Sequence, residues 1–311
     1  RQQLGEATTA PGMVMISLSA VALGAAFGGY LPLISLWMET FNISFQKIGI
    51  VCGASAVGVV SSAYYAPKLA ARYGYIATIN VGLVVAAIMT VAFRFTDNYG
   101  LWLALRFVSG LGLGLHWVLT EAWLANIVTE KYRTRVMAIY ATAISIGFAV
   151  GPMVIWLFGA LSIIPFIIMG ALLILAALPI LRLKGHEPKD SQTRSASPLI
   201  LIKKAPTVAS ACIVVGSVDL ALISLLPAMI TRTPEAAPIL ALIIVPAMAI
   251  GATILQYPIA IIADKHGLRK VGVMTVCAGL IFASLIPFFL GSVLITLLLG
   301  FFAAGLVYAL Y

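Results

Sequence analysis

Four ionisable residues lie inside long apolar stretches of this sequence. Arg106, His116 and Glu121 fall within residues 100–129, and Asp219 falls within residues 207–231. Ionisable groups in such surroundings are costly and usually mark an ion pathway or a paired site. A carboxyl group at Asp219 can load and release a proton when its surroundings change, and Arg106 could stabilise its ionised form. The alternative is a static buried pair that holds two parts of the molecule together.

Helix geometry separates the three residues of the 100–129 segment. Arg106 and Glu121 are 15 residues apart, which is about 22 Å along a helix and about 60° around it. His116 and Glu121 lie about 140° apart, so both cannot face one central cavity. Glu121 could instead pair with loop cations such as Arg72 or Arg133, and His116 could be a hydrogen-bonded packing residue.

The elements that carry these residues are membrane-spanning helices. The chain has 311 residues, of which 62% are hydrophobic and 9% charged, against about 25% charged in a typical soluble domain. The composition excludes soluble, disordered and disulfide-scaffold classes. It predicts an all-α polytopic membrane protein, because a helix satisfies its own backbone in lipid. The three cysteines all fall inside predicted spans, which argues against disulfides and metal sites.

Uncharged stretches of about 20 residues give the number of spans. The stretches that fit one span are residues 7–38, 48–67, 73–93 and 236–263. Residues 136–181 and 271–311 each hold two spans, with breaks near 159–162 and 291–292. With the two charged segments the total is ten, and the tenth runs off the end of the chain.

Basic residues set the predicted orientation, because short cytoplasmic loops accumulate Lys and Arg. With the N-terminus in the cytoplasm, only Lys47, Arg94 and Arg232 lie outside, and most other basic residues lie in inner loops or tails. The net charge of +9 therefore reflects topology, and we expect no nucleic-acid partner.

An internal repeat appears at an interval of 193 residues. It aligns Gly74, after the second span, with Gly267, after the eighth. Six spans separate these positions, so the two halves have parallel topology. The interval predicts an N-terminal half at residues 1–183, a cytoplasmic linker at 184–206 and an incomplete C-terminal half at 207–311 with helices 7–10. Two complete halves would need about 390 residues, so we expect a C-terminally truncated chain with about ten of twelve helices.

The loop after the eighth span carries Asp264, Lys265, Gly267, Arg269 and Lys270. It resembles the cytoplasmic loop motif of the major facilitator superfamily. The first-half copy keeps only Arg72 and Gly74, and Ala71 replaces the acid. The acid and the basic residues could latch the cytoplasmic side when the protein opens outward. The alternative is a positively charged topology anchor.

Two further motifs strengthen this resemblance. Arg106, Gly110 and Gly112 match the fourth-span motif, and Gly147, Gly151 and Pro152 match part of a fifth-span motif associated with antiporters. Small residues allow close helix contact, and proline can bend a helix. Gln256-Tyr257-Pro258 and the segment from Trp117 to Leu124 look most like the poorly characterised YcaD-like branch.

The resemblance implies a fold of two six-helix halves in which spans 1, 4, 7 and 10 line a central cavity. It implies a secondary active transporter that moves a small organic solute by alternating access, with proton-coupled efflux or antiport as the expected mode. Tyr30 and Trp117 would be aromatic neighbours of the charged residues. An uncoupled facilitator and a membrane scaffold are the alternatives. We expect no enzymatic activity, cofactor or metal, and a monomer in the bacterial inner membrane.

Overall fold

The computed structural model describes residues 11–128, 130–185, 187–188 and 206–308, and every long element in these residues is an α-helix. The helices are α1 (Pro11–Glu39), α2 (Phe45–Tyr73), α3 (Tyr75–Ala92), α4 (Tyr99–Ile127), α5 (Glu130–Phe158), α6 (Ile164–Leu181), α7 (Pro206–Arg232), α8 (Leu240–His266), α9 (Leu268–Leu285) and α10 (Val293–Tyr308).

The predicted spans correspond to these helices one by one. Within the described residues, nine helices are long and apolar enough to cross a membrane. The apolar part of α10, Val293–Val307, is shorter. The predicted break within residues 136–181 is confirmed, because α5 ends at Phe158 and Gly159 adopts a left-handed φ of 75°. The predicted all-α membrane fold is confirmed. Most of the predicted linker, 184–206, lies outside the described residues, so its bounds stay a prediction.

Helix ends recur at the interval of 193 residues. Helix α1 ends at Glu39 and α7 at Arg232, and α3 begins at Tyr75 and α9 at Leu268. A single glycine joins α2 to α3 and α8 to α9, with φ of 85° at Gly74 and 92° at Gly267. A left-handed backbone favours glycine, which explains why this residue stands at both turns.

Close packing of helices holds each half together. Helix α1 packs along α5, α2 along α4, and α8 along α10. A Cβ atom at Gly147 would lie 2.2 Å from the carbonyl oxygen of Val21, and one at Gly110 would lie 2.1 Å from that of Ser55. At these glycines the backbones of the two packed helices are in direct contact, so a larger side chain would not fit between them. Gly112 and Gly151 make equally close approaches, to α3 and α1.

We call the two ends of the bundle outer and inner, after the predicted orientation. The outer end holds Glu39 and Arg232, and the inner end holds Gly74 and Gly267. Helices α1–α6 contact α7–α10 mainly through α5 with α8 and through α7 with α1 and α2. A buried apolar cluster spans this contact and contains Leu31 and Phe148 together with Ile223, Val245 and other residues of α7, α8 and α10.

Candidate functional site

Arg106 is completely buried on α4, beside the aromatic ring of Tyr30 on α1. Its guanidinium carbon lies 4.9 Å from the centre of the Tyr30 ring. Tyr30 also packs edge-to-face against Phe93, with ring centres 6.5 Å apart. No nitrogen of Arg106 has a hydrogen-bond partner in the described part of the chain. The cation therefore rests on an aromatic face, an arrangement that attracts positive charge electrostatically.

Arg106 does not hydrogen-bond Asp219 in this structure, since its three nitrogens make no hydrogen bond to a described residue. Asp219 lies near the middle of α7 and is half-buried. The predicted Arg106–Asp219 partnership is thus not a hydrogen bond in this conformation. Arg106 is enclosed within the N-terminal helices, whereas Asp219 belongs to the other half.

His116 has a defined packing role. Its Nε2 atom lies 2.8 Å from the hydroxyl oxygen of Ser19, and that hydroxyl donates to the carbonyl oxygen of Ala176 over 2.7 Å. These contacts join α4 to α1 and α6 in a fully buried position. The geometry is that of the hydrogen-bonded packing residue considered as the alternative for His116.

Glu121 and Trp117 form one unit, because the indole N–H of Trp117 donates to Oε1 of Glu121 over 2.6 Å. The Trp117 ring contacts the Phe27 ring edge-to-face at 6.4 Å, and Phe27 contacts Phe148 at 5.5 Å. Arg72, one expected partner of Glu121, instead places its guanidinium carbon 5.2 Å from the centre of the Tyr73 ring. The side chain of the other, Arg133, lies outside the described part of the chain.

The inner loops carry the predicted gating residues. Lys265, Arg269 and Lys270 are exposed around the turn at Gly267. Only the backbone of Asp264 is described, within the last turn of α8, so its predicted contacts stay a prediction.

An additional acid lies at the equivalent first-half turn. Oε2 of Glu187 accepts a hydrogen bond of 2.9 Å from the backbone N–H of Tyr75. It thereby caps the first turn of α3, next to Gly74.

An ion pair that was not predicted from the sequence lies at the outer end. The Nε–H of Arg232 donates to Oε1 of Glu39, and a terminal nitrogen of Arg232 donates to the carbonyl oxygen of Ile43 over 2.7 Å. The guanidinium carbon also lies 4.2 Å from the centre of the Phe45 ring. We call Glu39, Ile43, Phe45 and Arg232 the outer clasp. Glu39 and Arg232 form the ion pair of this clasp.

A signal for the outer clasp was present in the sequence. Glu39 and Arg232 are 193 residues apart, which is the interval of the repeat. Two repeat-equivalent residues can touch only near the axis that relates the halves. Opposite charges at such positions therefore place the pair at the centre of the outer end.

Comparisons with known proteins agree with this architecture. The chain is 26% identical over 273 residues to the uncharacterised MFS-type transporter YfkF of Bacillus subtilis (strain 168), covering 86% of this chain and 68% of YfkF. It is 24% identical over 261 residues to the uncharacterised MFS-type transporter YcaD of Salmonella enteritidis PT4 (strain P125109), covering 82% of this chain and 65% of YcaD. The chain thus spans about two thirds of the length of these relatives.

A solved structure shares the fold. The inward-facing, occupied crystal structure of a bacterial homologue of the human lysosomal transporter Spinster matches with a TM-score of 0.72 and 20% identity. The match covers 95% of this chain and 71% of that one. These relatives are transporters rather than enzymes. The family model described as Major Facilitator Superfamily matches residues 16–311, so the chain is an integral membrane protein that belongs to the major facilitator superfamily.

Proposed function

We propose that this protein is a secondary active transporter that moves a small organic solute by alternating access between its two halves. The observation that carries the proposal is the outer clasp, which ties the end of α1 to the end of α7 at the centre of the outer end. A closure between repeat-equivalent residues suits a protein whose halves rock about the axis between them. In this proposal the structure represents the state closed to the outside.

In this proposal Asp219 carries the coupled proton, and the mode of transport is efflux or antiport. Asp219 is a half-buried carboxyl group at mid-span on a helix that faces the other half. A carboxyl group in that position can take up a proton on one side and release it on the other as the halves rock. Arg106 would favour the ionised form in a conformation that brings the two closer. The proposed transporter is a monomer in a bacterial inner membrane, and its N-terminus lies in the cytoplasm.

The test measures solute-driven proton movement. Full-length protein is reconstituted into liposomes that contain a pH-sensitive dye, and candidate solutes are added one at a time with and without an imposed pH gradient. Wild type is expected to move protons when its solute is present. Asp219→Asn is expected to abolish this movement, whereas Asp97→Asn, in the exposed loop before α4, is expected to leave it unchanged.

The competing functions give different results in the same assay. Solute flux that ignores the pH gradient would support an uncoupled facilitator and would remove the role of Asp219. Absence of flux for every solute, in protein that is folded by circular dichroism, would support a scaffold.

A further inference from the structure

A carboxyl group and a chain of three aromatic rings lie together beside the contact between the halves. This cluster consists of Glu121 and Trp117 on α4, Phe27 on α1 and Phe148 on α5, and we call it the aromatic–acid site. Glu121 and Trp117 are hydrogen-bonded, and the three rings form a continuous edge-to-face chain. Next to the site in sequence, the hydroxyl of Thr120 lies 3.0 Å from that of Tyr140 on α5.

The phenylalanine end of the site faces the other half of the protein. Phe148 is part of the buried cluster that contains Ile223 and Leu226 of α7 and Met248 of α8, and Phe27 packs against this cluster. The site therefore borders the surface across which the halves move. A solute bound there could contact both halves and be carried between their two arrangements.

Glu121 is the charged residue of the site. The structure describes no ion pair for Glu121, and its carboxyl group receives the indole N–H of Trp117. The site therefore presents the negative charge of Glu121.

The two basic residues of α4 described in the structure contact groups other than Glu121. Arg106 lies eleven residues before Trp117, about 16 Å along the helix, and is fully enclosed beside Tyr30. His116 is bonded to Ser19. Neither residue is available to neutralise Glu121.

We propose that the aromatic–acid site binds the transported solute through a positive charge, so that the substrate class is organic cations with an aromatic or bulky apolar body. The Glu121 carboxylate provides the counter-charge, and the faces of Trp117 and the phenylalanine rings attract a quaternary or protonated amine. The rings also accept the apolar body of the solute, since aromatic surfaces bury large areas. This inference rests on the proposed transport function, because it names the class of solute that the proposed transporter would move.

The test compares three phenylalkyl probes that differ in charge. Trimethyl(2-phenylethyl)ammonium is the cation, 3-phenylpropanol the neutral analogue and 3-phenylpropionate the anion. Binding to the full-length protein in lipid nanodiscs is measured by isothermal titration calorimetry. The cation is expected to bind at least tenfold more tightly than either analogue. Equal affinity for the cation and the anion would overturn the proposal.

Two substitutions locate the binding. Glu121→Gln removes the charge but keeps an oxygen that can accept the Trp117 hydrogen bond, so it is expected to weaken cation binding at least tenfold. Asp97→Asn removes an exposed loop charge and is the matched control, with no expected change. If Glu121→Gln fails to fold, Glu121→Asp and Trp117→Leu replace it. Aspartate is expected to retain more than half of the discrimination between cation and anion, and leucine to lose it. If Glu121→Gln binds the cation as tightly as wild type, Glu121 does not provide the counter-charge and the proposed site is wrong. The same conclusion follows if Trp117→Leu, used as the replacement, keeps full cation affinity.

The same measurements separate the two proposals. Flux of neutral or anionic solutes in the liposome assay, without cation binding, would reject the substrate class and leave the transport function in place. Specific cation binding without any flux would support the site and reject transport.

Discussion

The outer clasp gives a quantitative test of alternating access. The perturbation is a set of four proteins: Glu39→Gln, Arg232→Gln, the double variant, and the charge-reversed pair Glu39→Arg with Arg232→Glu. If the clasp stabilises the closed outer end, each single variant shifts the population toward the outward-open state. Because the two positions are related by the repeat, reversing both charges restores the attraction.

The expected magnitudes follow from the contacts. The Glu39 and Arg232 side chains are 16% and 35% exposed, so their ion pair contributes about 1 kcal/mol, the upper end for partly exposed pairs. Glu39→Gln should therefore shift the closed-to-open ratio about fivefold. Arg232→Gln also removes the hydrogen bond to Ile43 and the contact over the Phe45 ring, so the combined loss is about 2 kcal/mol, or roughly 30-fold.

The reversed pair is expected to recover only part of this energy. Position 238 is the repeat equivalent of position 45, and it holds Pro238 rather than an aromatic residue. An arginine at position 39 would therefore regain the ion pair but not a contact with an aromatic ring. The expected recovery is about 1 of the 2 kcal/mol lost in Arg232→Gln.

Distance distributions between spin labels on the outer loops after α3 and α9 measure these populations. Asp97→Asn changes a charge at the same end without touching the clasp and serves as the control. The single shifts should not add in the double variant, and the coupling should equal the ion-pair energy of about 1 kcal/mol. Strictly additive single shifts, or distances that no variant changes, would refute the idea that the clasp closes the outer end.

Three stability predictions concern the helix contacts and are checked by thermal unfolding in detergent. Gly110→Ala should destabilise by about 1–3 kcal/mol because its Cβ would meet the α2 backbone; Gly53→Ala, with open space around it, is the control and should be neutral or stabilising. Ser19→Ala should cost about 1–3 kcal/mol, since the buried His116 ring loses its partner. Tyr30→Phe should be nearly neutral and Tyr30→Leu should lose about 1 kcal/mol, because the ring face contacts the buried guanidinium; equal losses in both would contradict this.

Much of the helical layout could be predicted from the sequence because it depends on local properties. The break at 159–162 and the turns at Gly74 and Gly267 follow from uncharged lengths, glycine positions and the repeat. The Trp117–Glu121 hydrogen bond was also within reach, since residues four apart share a helix face. The partners expected for Glu121 were instead the loop cations Arg72 and Arg133.

Contacts between distant helices could not be predicted in the same way. The partner of His116 is Ser19, 97 residues away, and the aromatic face beside Arg106 comes from α1. Many side chains of similar type stand on every helix, so residue type alone does not select a partner. The outer clasp is an exception in principle, because the interval of 193 relates its two charged members.

The sequence by itself determined that the chain crosses a membrane with a repeated set of helices. In lipid each spanning helix must satisfy its own backbone hydrogen bonds. Span length and uncharged stretches can therefore be recognised directly in the sequence. Only the tertiary structure decided which charges act together. In the structure Arg106 is enclosed among the N-terminal helices, and His116 is hydrogen-bonded within the helix packing. Glu121 lies beside an aromatic ring, and Glu39 pairs with Arg232. Those outcomes depend on helix rotation and close approach, which are settled by the packing of whole surfaces against each other.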